Sequence, residues 1–118
     1  MARSNGPSDG GLPIASPALD GRVLRGIVGA KRALQAAFVA WTPEDDDERA
    51  DAQEAALAAN AALSLLERAR WHEAEAEAEH ALTLCEAWGR SDLGEFALLV
   101  GEVSALALDL QGEGGVPP

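Results

Sequence analysis

From Glu54 to Gly89 the chain reads EAALAANAALSLLERARWHEAEAEAEHALTLCEAWG, and this stretch restricts the fold more than any other. Small and apolar residues recur in it at i, i+3, i+4 and i+7, the spacing that gathers side chains on one side of a helix. A first set is Leu57, Ala58, Ala61, Ala62, Leu65, Leu66 and Ala69, and a second is Trp71, Ala74, Ala78, Ala81, Leu82 and Cys85. Two amphipathic helices folded back on each other, with the turn near Ala69-Arg70, satisfy both sets. Glu73, Glu75, Glu77 and Glu79 alternate with alanine, a period-two pattern that alone would suggest a strand. Ala and Glu are strong helix formers and poor strand formers, so the helix wins and the glutamates spread over its solvent side.

The same stretch resembles a tetratricopeptide repeat, a helix–turn–helix unit of about 34 residues. Asn60, Ala61 and Ala62 match the middle of that family's first helix, and Trp71 the aromatic at the turn. Glu73-Ala74 matches its acidic-Ala step, and Ala81-Leu82 with Leu84 the closing Ala-Leu-x-Leu. The resemblance covers one repeat, under a third of the chain. Ala69 replaces the family's turn glycine, Ala78 its second-helix aromatic and Glu86 its terminal proline. Similar degenerate repeats occur in the helical arrays of large bacterial transcriptional regulators. What the resemblance implies is a non-enzymatic interaction module that binds a peptide, helix or subunit along an apolar groove. The family's carboxylate clamp for acidic peptide tails is not implied. Asn60 matches one of its positions, but Ala59 and Leu63 stand where basic or polar groups would help.

A chain of 118 residues has room for one domain. Its hydrophobic fraction is 47%, but much of that is alanine, and with no Tyr, two Phe and three Trp the core is thin. At this size a partner or a second copy often completes such a core. The lone cysteine, Cys85, excludes an internal disulfide and suits a reducing cytoplasm. Its place on the helical stripe makes it a small core residue. The formal charge of −11 is unevenly spread: residues 1–41 hold five basic and two acidic side chains, and residues 42–118 hold four basic and eighteen acidic ones. An acidic body opposes nucleic-acid phosphate, so no nucleic-acid partner is expected. It favours basic partners, and it keeps an Ala-rich protein soluble.

The opening MARSNGPSDGGLPIASP is too rich in Gly, Pro, Ser and Asn to order itself, and residues 1–17 read as a tail. It has no apolar core behind a basic start, so it does not read as a signal peptide. A helix is expected at about residues 18–41, with Val23, Leu24, Ile27, Leu34, Phe38 and Trp41 on one face. Arg22, Arg25 and Arg32 lie opposite; three arginines make a weak membrane signal, and solvent or acidic neighbours explain them better. Lys31 falls inside the apolar face and is a buried-charge candidate, with its stem packed and its ammonium reaching water or a carboxylate. Thr42-Pro43-Glu44-Asp45 then reads as a helix start: threonine as cap, proline at the first helical position, acids against the helix dipole. The run Glu44 to Glu48 lacks the alternating ligands and central glycine of a calcium loop.

Helices at about 43–69 and 71–88 form the hairpin. Asp92 and Glu95 form a capping box for a last helix, about 92–111, with Gly112 as its stop and 112–118 as a tail. Glu95, Glu102 and Asp109 recur every seven residues as one narrow stripe, and Phe96, Leu99, Val100, Val103, Leu106, Ala107 and Leu110 cover most of the rest. Acids along its length argue against a membrane span, and a helix so apolar needs several neighbours or a partner over its outer flank. Gly94 and Gly101, also seven apart, would let a neighbouring backbone approach. The expectation is an all-α fold of four antiparallel helices, with a tetratricopeptide-like hairpin inside a small bundle.

For chemistry the sequence offers little. Glu77-x-x-His80 has di-iron spacing, but no second Glu-x-x-His accompanies it. His72 and His80 read as exposed beside glutamates, and no nucleophile triad, phosphate-cradling loop or zinc spacing is present. No cofactor or metal is implied. The interaction candidates are Asn60 and Leu63 on the hairpin and Phe96, Leu99, Val103, Leu106 and Leu110 on the last helix. A protein or peptide partner, self-assembly as a homodimer through the last helix with the first helix as a second candidate surface, and a small enzyme with a polar pocket near Lys31 and Glu102 are the readings in descending order.

Overall fold

The computed structural model describes residues 20–115, and their side chains through Gln111. Four helices make up the fold: α1 (Gly21–Ala40), α2 (Asp46–Glu67), α3 (Trp71–Ala87) and α4 (Gly94–Gly115). Among the described residues there is no strand. The expected tails fall largely outside this range. At the C-terminal side, however, the backbone stays helical past Gly112 as far as Gly115.

The starts of α1 and α2 and the ends of α2 and α3 are set locally. Asp20 caps α1, its carboxylate accepting from the Arg22 amide at 2.8 Å. For α2 the cap is Asp45, three residues later than the threonine the sequence suggested. Its carboxylate accepts from the Glu48 amide at 2.8 Å, and the Glu48 side chain folds back to accept from the Glu44 amide at 3.1 Å. The same Glu48 carboxylate accepts from Trp41 Nε1 at 2.7 Å, and both residues are buried. An N-terminal acid that satisfies two donors, one on the indole that ends α1, is a stronger anchor than the lone hydroxyl of Thr42. Asp92 also departs from expectation: both its carboxylate oxygens take hydrogen bonds from Arg90, and the capping box is not built. A further Arg90 N–H donates to the Ala40 carbonyl at 3.0 Å, tying the end of α1 to the turn before α4. The Asp92 hydrogen bond holds the Arg90 guanidinium above its ordinary pKa.

The two turns of the α2–α3–α4 run share one geometry. After α2, the Arg70 amide bonds to Leu65 and the Ala69 amide to Leu66; after α3, the Arg90 amide bonds to Cys85 and the Gly89 amide to Glu86. Both are Schellman closures, which place the residue after the cap in the left-handed region. Gly89 takes it at φ +71°, and Ala69, which has a Cβ to accommodate, at φ +61°.

In space α2 lies along α3, α3 along α4, and α4 along α1, with α1 touching α2 more lightly. Neighbours run antiparallel. His80 meets Glu54, and Trp88 Nε1 donates to Asp51 at 2.8 Å, across α2 and α3. The Ser104 hydroxyl faces the Trp71 carbonyl across α3 and α4. Gly26 of α1 packs on Val103 of α4 so closely that a Cβ there would lie 2.5 Å from a valine methyl. The core between them is Val23, Ile27, Leu34 and Trp41 from α1, Trp71 and Cys85 from α3, Phe96, Val100 and Val103 from α4, Leu63 and Leu66 from α2, and many alanines. Phe38 stacks on Trp41 with ring centroids 5.8 Å apart. Trp71 Nε1 is buried with no hydrogen-bond partner among the described residues.

The face of α2 differs from the sequence reading. Ala52, Ala55, Ala59, Ala62, Leu63 and Leu66 point inward, while Leu57 is 73% exposed. Methyl groups fill an interhelical seam about equally well from several rotations of an Ala-rich helix. The choice is therefore made by where the larger Leu63 and Leu66 can be seated.

Candidate functional site

An open apolar surface lies between α3 and α4. It is a groove of about 400 Å³ lined by Glu75, Ala78, Glu79 and Leu82 from α3 and Gly94, Ala97, Leu98 and Gly101 from α4. Small residues explain why it exists. Two helices held at packing distance leave a wedge between them wherever the facing positions carry no side chain or only a methyl. A Cβ at Gly94 would meet nothing within 4 Å, and one at Gly101 would find only a Glu75 carboxylate oxygen at 3.9 Å. The space these glycines leave for a neighbouring backbone is thus open, and in the chain itself it is unfilled. The close approach is made instead at Gly26, against Val103.

Leu98 stands over this groove with 61% of its surface exposed. The rim is acidic. Glu75 lies 3.6 Å from His72 Nδ1, and Glu79 has no cationic side chain within 4 Å among the described residues. An apolar floor beside carboxylates free of Lys and Arg suits an amphipathic partner that brings both a greasy edge and positive charge.

The residues singled out from the sequence are distributed otherwise. Phe96, Val103 and Leu63 are buried in the core. Leu99 and Leu106 line a separate hollow of about 160 Å³ between α1 and α4, with Arg22, Gly26, Glu102 and Val103. Leu110 is half-buried and packs against the core. Asn60 is exposed, and its amide donates to the Ala56 carbonyl of its own helix at 2.8 Å.

Lys31 and Glu102 are not buried charges. The Lys31 ammonium sits 3.4 Å from Glu67 with half of each side chain in water, and Glu102 is exposed on the rim of the α1/α4 hollow. Lys31 falls on the edge of α1's inward arc where α2 passes, and its long stem carries the charge out to Glu67. The two residues form no common pocket. His72 and His80 are exposed, the latter 2.9 Å from Glu54. Among the described residues no three His, Cys, Asp or Glu side chains are grouped to hold a metal ion, and no helix is long and apolar enough to cross a membrane.

Sequence reasoning did not single out Leu98, Glu75 or Glu79 as a site. The signal was present as a surplus. Once Phe96, Val100, Val103 and Ala107 are assigned inward, α4 still carries apolar residues that its own chain cannot cover. Compared with protein-family models, curated proteins and solved structures, the chain matches none.

Proposed function

We propose that this chain is a non-enzymatic interaction module whose α3/α4 groove receives an amphipathic helix or peptide carrying basic residues beside its apolar edge. The observation that carries this reading is the coincidence of exposed Leu98, the unfilled space at Gly94 and Gly101, and the carboxylates of Glu75 and Glu79 along one groove. Helix-in-groove recognition needs an apolar trough with charges at its margin to set orientation, and this trough has both. The tetratricopeptide-like wording of α2 and α3 points the same way. A protein with one buried thiol and no disulfide suits work in the cytoplasm.

Fluorescence anisotropy with a labelled Leu/Arg amphipathic peptide, and with a Leu/Glu peptide of the same pattern, tests it. The basic peptide is expected to bind, more weakly as salt rises, and Leu98→Ser with Glu79→Gln is expected to weaken it at least about tenfold. Equal binding of both peptides, or indifference to the double substitution, overturns the reading.

A further inference from the structure

The charge of this fold is sorted by helix. α1 contains four basic residues and no acidic one, whereas α3 contains five glutamates and neither Lys nor Arg. Within the chain this contrast is only partly used. Lys31 reaches Glu67 and Arg22 reaches Asp20, but Arg25 and Arg32 have no carboxylate within 4 Å among the described residues. Beside these two arginines runs an apolar stripe: Leu24 and Val28 are each 46% exposed and Val39 is 79% exposed. Of the five large apolar side chains left in water among the described residues, three are on this stripe and a fourth is Leu98 of the groove. Surface apolar groups concentrated in two places mark contact surfaces more than chance scatter does.

We infer that the occupant of the α3/α4 groove is a second copy of this chain, presenting the outer stripe of its α1. The inference rests on the groove being a helix-docking site and names what docks there. Leu24 and Val28, one turn apart, supply the apolar edge for Leu98 and the space above Gly94 and Gly101. Arg25 and Arg32, two turns apart on the same side, supply cations for Glu79, which has none within 4 Å among the described residues, and for Glu75, whose one such neighbour there is His72. The contact must be between chains. The opposite side of α1 is held in its own core by Val23, Ile27 and Leu34, so the stripe is turned away from its own bundle. Because the stripe and the groove are different surfaces, the contact is heterologous: each chain offers one donor face and one acceptor face.

Sedimentation velocity of the full chain over a range of concentrations, at low and at about 0.5 M salt, tests this, since exposed charge pairs are screened at that ionic strength. Concentration-dependent association is expected, weaker in salt. Arg25→Glu with Arg32→Glu sets an acidic stripe against the acidic groove, and Glu75→Arg with Glu79→Arg sets a basic groove against the basic stripe. Each double variant alone is expected to lose association at least about tenfold, because like charges then face each other. Mixing the two is expected to restore it, since every stripe then finds a groove of opposite sign. Val28→Ser, a single change at a 46% exposed side chain that is expected to leave circular dichroism unchanged, is expected to weaken association too. A wild-type chain that sediments as a monomer at every concentration overturns the inference, as does failure of the mixture to recover. If the monomeric chain still binds the basic peptide at the groove, the docking function stands and only the identity of the occupant is wrong; if it binds neither, both fall.

Discussion

Ala69 and Gly89 occupy the same position in two Schellman closures, and this gives an internally controlled prediction. An L-residue in the left-handed region costs about 1–2 kcal/mol relative to the right-handed one. Glycine avoids this but gives up about 0.4–1 kcal/mol through its freer unfolded chain. At Gly89 a Cβ would meet nothing within 4 Å, so no packing gain offsets the strain. Taking the middle of each range, Gly89→Ala should destabilise by about 0.8 kcal/mol. At Ala69 the same difference runs in reverse, less the half-buried methyl that packs on the core. That methyl is worth about 0.4 kcal/mol at half burial, which leaves Ala69→Gly stabilising by about 0.4 kcal/mol.

The two turns lie at opposite ends of α3, so the effects should add. For a domain of this size thermal midpoints should fall by about 3–6 °C for Gly89→Ala and rise by about 2–3 °C for Ala69→Gly. Thermal melts followed by circular dichroism, with both single variants and the double, measure all three. The reasoning is refuted if Gly89→Ala is neutral, or if Ala69→Gly destabilises as much as Gly89→Ala does.

Three further outcomes follow from the packing. Trp41→Phe should cost about 1–3 kcal/mol more than Trp71→Phe in urea unfolding, because it strips a hydrogen bond from buried Glu48 whereas Trp71 Nε1 has no partner to lose. Gly26→Ala should destabilise by about 1–3 kcal/mol, since its methyl would be driven into Val103, and Gly26→Ala with Val103→Ala should recover part of that. Arg22, chiefly through its side-chain hydrogen bond, holds the Asp20 carboxyl below its ordinary pKa of 3.8. The folded value being the lower one, Asp20 stabilises α1 above about pH 3.8, and that contribution is lost as pH falls through the lowered value. Asp20→Asn, still a good cap, should lack this part of the acid transition when helicity is titrated.

The extent to which the sequence revealed this fold depends on how much each helix distinguishes its own sides. In α3 the inward set Trp71, Ala74, Ala78, Ala81 and Cys85 was readable outright, because glutamates and an exposed histidine mark the remaining sides. In α2 alanines occupy nearly every side, so Leu57 and Leu63 were exchanged between surface and core. The start of α2 was placed three residues early because the partner that fixes it, Trp41, acts through its indole N–H. Periodicity records that side chain only as apolar. The groove was legible only as an uncovered flank of α4. Its rim comes from Glu75 and Glu79 on another helix, and which glutamates of the alternating run overhang α4 is decided by how the helices cross. The stripe on α1 was concealed for a related reason: Leu24 has the right spacing for the core and misses it by its angle, lying 46% exposed.

The pairing of α1 with α4 carries a consequence for how the protein is made. α2 and α3 meet across a three-residue turn and need only local chain to find each other. The principal support of α1 is α4, the furthest from it in chain order of the three other described helices. Loop closure over that span is slow relative to hairpin formation, so α1, made before the other three helices described, is expected to be seated last. Until then its greasy, cationic surface travels uncovered beside an already folded acidic hairpin.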